Sequence, residues 1–268
     1  MRKLLLICAL LTVMAAGAEV PDSVKALPRP VTGYYNLEIG RRDVLATYLS
    51  PVRYHGTEFA LSGLWTKAMP FNPVRNTMTF QARADFESLL NPAGSASMIG
   101  THAAFSWGMG WQWQFPRRWT LAVGPTVGAD GGAYYLIRNS NNPVDAQFSL
   151  WAGVSARAEW SFRIRRLPVL LQDRLTMPLL GGFFAPAYGE TYYEIYLGNR
   201  KGLAHFGYPG NNLRIDNLLS ATLDFGRTAM QIGYRFTYGD QYANHLTTRH
   251  AGHYFVIGVV PGGIHLKK

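Results

Sequence analysis

The stretch Thr101-His102-Ala103-Ala104-Phe105-Ser106-Trp107-Gly108-Met109-Gly110-Trp111-Gln112-Trp113-Gln114-Phe115 alternates between two kinds of side chain. Its odd positions carry Phe105, Trp107, Met109, Trp111, Trp113 and Phe115; its even positions carry His102, Ser106, Gly108, Gly110, Gln112 and Gln114. An extended chain sends successive side chains to opposite faces, so one face is a column of large apolar groups and the other is small or polar. Ordinary globular strands run about 5 or 6 residues, and this pattern is unbroken from 101 to 115.

The same rhythm recurs outward from that stretch. Phe148, Leu150, Val154, Trp160 and Phe162 alternate with Ser149, Gly153, Arg157, Glu159 and Arg163, with Trp151 the one large exception. Met78, Phe80 and Phe86 alternate with Gln81, Arg83 and Asp85; Leu219, Leu223 and Phe225 with Ser220 and Asp224; Met230, Ile232, Tyr234 and Phe236 with Gln231, Gly233 and Arg235. Long strands with one apolar face are what a transmembrane barrel needs, because in hydrocarbon a closed sheet alone pairs every backbone donor and acceptor of a β-structure. The expected fold is therefore all-β: a transmembrane antiparallel up-and-down β-barrel of 10 to 12 strands. A soluble secreted β-sandwich would also alternate, but with shorter strands and without rings gathered at strand ends.

Composition agrees. Only 16% of the 268 residues are charged, below the roughly 25% of ordinary soluble domains, and the mean hydropathy of −0.04 is the average of an apolar and a polar population. Arg2 and Lys3, the apolar run 4–15 and the small residues Ala16-Gly17-Ala18 read as a signal peptide over 1–18. The only cysteine, Cys8, lies inside it, so the mature chain has no thiol chemistry. Without the signal, 24 basic residues face 16 acidic ones, a net +8. No Lys/Arg block with interleaved aromatics is present, which excludes a nucleic-acid partner. Residues 19–33 form a flexible periplasmic leader and 34–268 the barrel, with long outer loops.

Connections and belts extend the expectation. Pro116-Arg117-Arg118, Arg165-Arg166-Leu167-Pro168 and Gly226-Arg227 read as short turns, and 129–144, 181–212 and 239–252 as long outer loops, the asymmetry of outer-membrane barrels. Strand starts near Tyr34, Thr57, Thr77, Ser97, Trp119, Ala146, Val169, Leu213, Arg227 and Tyr254 give ten strands, and 44–49 and 191–197 would raise the number to twelve. Asp173 falls on an apolar phase, which predicts a bulge within 165–176. Trp107, Trp111, Trp113, Trp119 and Trp160 make the expected aromatic belt.

Two segments carry a resemblance. Thr47-Tyr48-Leu49-Ser50-Pro51-Val52-Arg53-Tyr54-His55-Gly56 and the run from Leu179 through Tyr188-Gly189-Glu190-Thr191-Tyr192-Tyr193-Glu194-Ile195 resemble an uncharacterised family of exported proteins of Bacteroidetes-type bacteria, a domain of unknown function. The resemblance implies an outer-membrane barrel over the whole mature chain and brings no activity. It departs at Ala46, where the pattern has Asp, and at Ala185, where it has Ser.

Candidate sites follow from the barrel. Arg83, Asp85, Arg157, Glu159, Arg163, Arg214, Asp216, Asp224 and Arg235 fall on the polar phase and are expected in the lumen, either as a salt-bridged filling or as the lining of a narrow pore. A lipid hydrolase would need Ser beside His; His102 and Ser106 share a face but stand about 13 Å apart along a strand, so no catalytic set is assigned and the expected role is structural, surface-binding or a narrow pore, with a barrel enzyme hydrolysing or modifying membrane lipid or lipopolysaccharide as the alternative. His245, His250, His253 and Asp240 suggest a metal loop, but their irregular spacing reads as solvated loop histidine, and no metal or cofactor is expected. Tyr188, Tyr192, Tyr193 and Glu194 are outer-loop binding candidates. Expected partners are outer-membrane lipid and lipopolysaccharide, the barrel-assembly machinery and a small solute, in the outer membrane of a Gram-negative bacterium after signal cleavage.

Overall fold

The computed structural model describes residues 29–140 and 142–263. The signal at 1–18 with Cys8, leader residues 19–28 and the tail His265 to Lys268 lie outside them. Among the described residues are eleven strands: β1 (Thr32–Ala46), β2 (Tyr54–Ala68), β3 (Asn76–Leu90), β4 (Ser97–Phe115), β5 (Trp119–Leu136), β6 (Val144–Ile164), β7 (Leu167–Phe184), β8 (Ala204–Gly207), β9 (Asn212–Asp224), β10 (Thr228–Ala243) and β11 (Leu246–Pro261). One helix of five residues, α1 (Tyr192–Tyr196), stands among them. Thr32 and Gly33, assigned above to the leader, already belong to β1.

Ten strands close a ring. Each pairs antiparallel with its chain neighbour, β7 passes over the short β8 to pair with β9, and β1 meets β11 from Tyr35 opposite Val259 to Ala46 opposite Thr248. β8 adds only four residues beside the end of β7. The count is ten rather than twelve because 44–46 simply ends β1 and 191–197 folds as α1. There Thr191 caps the helix by accepting from the Glu194 N–H while the Glu194 carboxylate accepts from the Thr191 N–H.

One end of the barrel, the turn end, carries the start of β1, the end of β11 and the connections 69–75, 116–118, 165–166 and 225–227. The other, the loop end, carries 47–53, 91–96, 137–143, 185–211 and 244–245, and only 185–211 is long. The expected long loops at 129–144 and 239–252 are largely strand. Asn244 and His245 make the second reversal alone, both at positive φ (50° and 61°), a hairpin turn that usually advertises itself with glycine. Glycines in these ranges stand inside strands and make room: a Cβ at Gly132 would lie 2.3 Å from the His102 ring, and one at Gly239 2.3 Å from the His250 ring.

The faces are inverted relative to a water-soluble protein. Leu61, Phe105, Leu150 and Phe255 point outward with half or more of their surface exposed, whereas Glu38, Glu58 and Glu87 point inward at 0%. An apolar exterior this continuous marks a surface that does not meet water. Toward the turn end it is ringed by aromatics: Trp119 stacks on Trp160 at 5.6 Å and 4°, Trp160 meets Phe162, and Trp65 lies between Tyr35 and Phe80. Trp107, Trp111 and Trp113 share that outward face of β4. The bulge is displaced from the expected stretch: Gly153 pairs with Pro178 and Ala152 with Leu180, so Leu179 is the extra residue. Asp173 keeps its register, stands on the exterior and accepts from Asn217 Nδ2 at 2.7 Å.

Leu61 lies at the middle of β2 on this exterior. Leu61→Arg is expected to lower stability in lipid by about 2–4 kcal/mol, read from denaturant titration of tryptophan fluorescence; an unchanged midpoint would mean that this face does not meet hydrocarbon.

Candidate functional site

The lumen is filled across its middle by charge. Arg83 on β3 donates to Glu38 Oε2 of β1 at 3.0 Å, to Glu58 Oε1 of β2 at 2.6 Å and to Asp85 Oδ2 of its own strand at 2.7 Å, with its guanidinium 5.1 Å over the ring of Tyr254 from β11. Arg235 of β10 meets Glu38 at 3.1 Å and both oxygens of Asp216 of β9 at 2.8 Å. Arg42 donates to Tyr254, Tyr134 and Thr237 and stands 3.4 Å from Glu58 and 3.5 Å from Glu87. Tyr254 in turn donates to Glu58 at 2.8 Å, and Ser62 to Glu38 at 2.6 Å. The strands place these groups by simple alternation, since Glu38 and Arg42 share one phase of β1 and Arg83, Asp85 and Glu87 one phase of β3.

Above this layer, toward the loop end, lies a cavity of about 200 Å³. Asp130 accepts there from Ser149 at 2.6 Å, Trp151 Nε1 at 2.8 Å and Arg214 at 2.6 Å, and Arg214 lies 5.6 Å over the Trp151 ring. Trp151, the exception to the alternation of its strand, is thus an inward indole fixed by a carboxylate; a Cβ at Gly128 would meet its ring at 2.3 Å. At the cavity floor His102 Nδ1 stands 3.2 Å from Asp85 Oδ1 and 3.5 Å from Glu87 Oε1. The His102 backbone N–H also donates to Asp85 Oδ1, and Tyr134 packs its ring 4.8 Å from the imidazole.

The sequence-predicted residues divide between sites. Arg83, Asp85, Asp216 and Arg235 meet in the central network and Arg214 lines the cavity. Arg157 pairs with Glu159 at 3.2 Å nearer the turn end, where Gln172 also donates to Glu159. Arg163 is exposed near the end of β6, and Asp224 accepts the Gly226 N–H in the β9–β10 turn; neither reaches the central layer, because both stand at strand ends. His102 and Ser106 both border the cavity, but His102 is engaged by Asp85. The histidine group does not assemble. His250 points inward and His253 outward on β11, and Asp240 is taken by Arg249 at 2.7 Å. Glu38, Arg42, Glu58, Glu87, Asp130 and Tyr254 escaped the sequence reading; the alternation of 32–46 and 54–68 places Glu38, Arg42 and Glu58 inward, and that of 76–90, 119–136 and 246–261 does the same for Glu87, Asp130 and Tyr254, so alternation was the signal that could have found them.

The loop end is partly roofed by the two segments that carried the family resemblance. Tyr48 donates to the Glu190 carbonyl at 2.6 Å, its ring meets that of Tyr192, and Tyr192 Oη accepts from the Ala146 N–H. Burial beside Asp145, Glu190 and Glu194 pushes the Tyr48 phenol up to about 12, so it remains a donor. Glu194 is held below the usual carboxylate range by the N–H and hydroxyl of Thr191 and serves its own helix. Tyr188 and Tyr193 are exposed on this roof.

A family model described as a protein of unknown function, DUF3316, matches residues 3–268. No curated protein matches the chain in sequence. Solved structures similar to it include the outer membrane protease OmpT of Escherichia coli, at 8% identity over 89% of this chain and 99% of that one with a TM-score of 0.46. The transport unit of the Escherichia coli autotransporter AIDA-I follows at 7% identity over 86% and 90%, TM-score 0.43. The β-domain of the Bordetella autotransporter BrkA matches at 11% over 88% and 100%, TM-score 0.42.

Arg83→Met removes the shared cation from three inward carboxylates. The expected loss is about 3–5 kcal/mol of stability, and adding Glu58→Gln should recover part of it; strictly additive losses in a double-mutant cycle would show that the two do not interact.

Proposed function

The chain belongs to DUF3316, a family of unknown function, so its role has to come from its own geometry, and we propose that it is an outer-membrane barrel that holds a small polar solute in its loop-end cavity rather than conducting one. The observation that carries this reading is what bounds the cavity: its volume of about 200 Å³ is lined by Arg42, Arg83, Asp85 and Asp216, members of a lumen layer in which Glu38, Glu58 and Glu87 are wholly buried beside Arg42, Arg83 and Arg235. A conducting pore keeps its charged lining in water; here Arg42, Arg83 and Arg235 pair with carboxylates across the lumen. Apolar side chains fill further parts of the lumen: Val44, Leu89, Met98 and Leu136 gather at the loop end under β1 to β5, beside the loop-side opening of the cavity, and Tyr34, Leu64, Ala229 and Val260 at the turn end.

Orientation follows from barrel practice, in which the longer connections face the cell exterior. The 185–211 connection and the cavity then face outward, the start of β1 and the end of β11 face the periplasm, and the aromatic girdle lies at the inner headgroup level against membrane lipid. Indole, guanidinium, carboxylate and amide groups around the cavity suit a polar, hydroxyl-bearing solute held by hydrogen bonds. A second reading, a barrel enzyme acting on lipid or lipopolysaccharide, draws on the His102–Asp85 contact alone, which supplies a base without a nucleophile bonded to it.

In planar bilayers the refolded mature protein is expected to pass no steady current. Because the mature chain has no cysteine, Ser106→Cys in the cavity should react with a membrane-impermeant thiol reagent from the loop side, and Ser155→Cys, below the charge layer, should not. Labelling of both from that side, or ohmic conductance, would sink the closed-lumen reading. Fatty-acid release from phospholipid vesicles that disappears in His102→Asn would favour the enzyme.

A further inference from the structure

We propose that the floor of the cavity binds one divalent metal ion of the zinc class through Asp85, Glu87 and His102. This rests on the cavity being open to solvent from the loop side, as read above.

Geometry comes first. Ligands at about 2.0–2.2 Å around a tetrahedral ion lie ~3.4 Å from one another. His102 Nδ1 is 3.2 Å from Asp85 Oδ1 and 3.5 Å from Glu87 Oε1, and the three ligand atoms all lie within 4.8 Å of one another. Asp85 Oδ2 is already oriented by Arg83 at 2.7 Å, as ligating carboxylates commonly are by a surrounding donor, and Glu87 Oε2 faces the charge of Arg42 at 3.5 Å without a hydrogen bond. Gly100 keeps the space for this arrangement: a Cβ there would lie 2.4 Å from Glu87 Oε1.

The second observation is an unmet demand. Glu87 is 0% exposed, yet neither of its oxygens has a hydrogen-bond donor. Buried carboxylates without donors are costly and call for an explanation. His102 carries at most one proton on Nδ1, and the hydrogen bond it makes is to Asp85; that proton cannot serve Glu87 as well. Charge states the same demand. In the contiguous layer Glu38, Glu58, Asp85, Glu87 and Asp216 face Arg42, Arg83 and Arg235, leaving two negative charges without a counter-charge. One divalent ion cancels both. Three protein ligands leave a fourth position, and Asp85 and His102 border the cavity, so that position faces the space a solute would enter.

The test uses the mature barrel refolded in detergent, freed of metal with a chelator and titrated with zinc chloride. Expected are one ion per chain by elemental analysis after gel filtration, a higher melting temperature, and with cobalt(II) the intense visible absorption of a tetrahedral site. Loss of an outer partner alone weakens metal sites 10- to 100-fold, so Glu87→Gln and His102→Asn are each expected to weaken binding about 100-fold or more. Gly100→Ala, which keeps every ligand atom but crowds Glu87, should weaken it too, and heat-modifiable gel mobility reports whether each variant is folded. Absence of zinc binding to the wild-type chain, or binding that folded Glu87→Gln and His102→Asn leave unchanged, overturns the proposal. If Ser106→Cys is labelled and zinc does not bind, the metal site alone falls; if Ser106→Cys is out of reach, the open cavity falls with it.

Discussion

Arg83 is the group on which the interior is organised. Its guanidinium joins Glu38, Glu58 and Asp85 on three adjacent strands and covers the ring of Tyr254 on a fourth. A guanidinium so deeply buried is tolerable only when every direction in which it donates ends on an acceptor, and the lumen supplies acceptors because hydrocarbon outside leaves it as the sole place for polar side chains. The two requirements reinforce each other: an apolar exterior sends the polar phase inward, and the inward charges then pair across the lumen.

Pairing along the barrel axis is uneven. Carboxylates outnumber guanidinium groups in the central layer, whereas nearer the turn end Arg157 stands opposite Arg174 with Glu159 as the nearby carboxylate. Like charges facing each other across a ladder destabilise a sheet, and Arg174 is buried with Nε and Nη2 lacking an acceptor among the described residues. The lumen is therefore negative under the cavity and positive below, and a cation entering from the loop side meets an attractive floor and then a repulsive barrier.

Much of this was legible from alternation alone. The rings of 101–115 identified the outward face, and the charges of 78–86 and 230–238 identified the inward one. What alternation could not convey was tertiary. The ranges 129–144 and 239–252 read as long loops although most of each is strand, and their glycines Gly132 and Gly239 are spaces for His102 and His250; a one-dimensional pattern does not distinguish a residue that bends the chain from one that yields room to a neighbour. The Asn244-His245 reversal stayed hidden because neither residue is the glycine such turns favour. The carboxylates of β1 and β2 had the same signal as Arg83, but without the register that sets Glu38 and Glu58 beside it their role has no sequence signature.

Two departures from pattern carry different meanings, and the register separates them. Trp151 breaks the small-or-polar phase and is satisfied internally, by Asp130 and Arg214; it belongs to the cavity. Asp173 breaks the apolar phase and is satisfied on the exterior, by Asn217 of the adjoining strand. A carboxylate facing hydrocarbon is costly, though less so near the interfaces than at the midplane, and a cross-strand amide reduces that cost without removing it. Since β7 also carries the bulge at Leu179 and closes the ring against β9, strain, polarity and closure meet on one strand. The metal ligands stand on β3 and β4 across the barrel, so the part of the wall that bears the proposed site is regular, and the irregularities gather where the ring is joined.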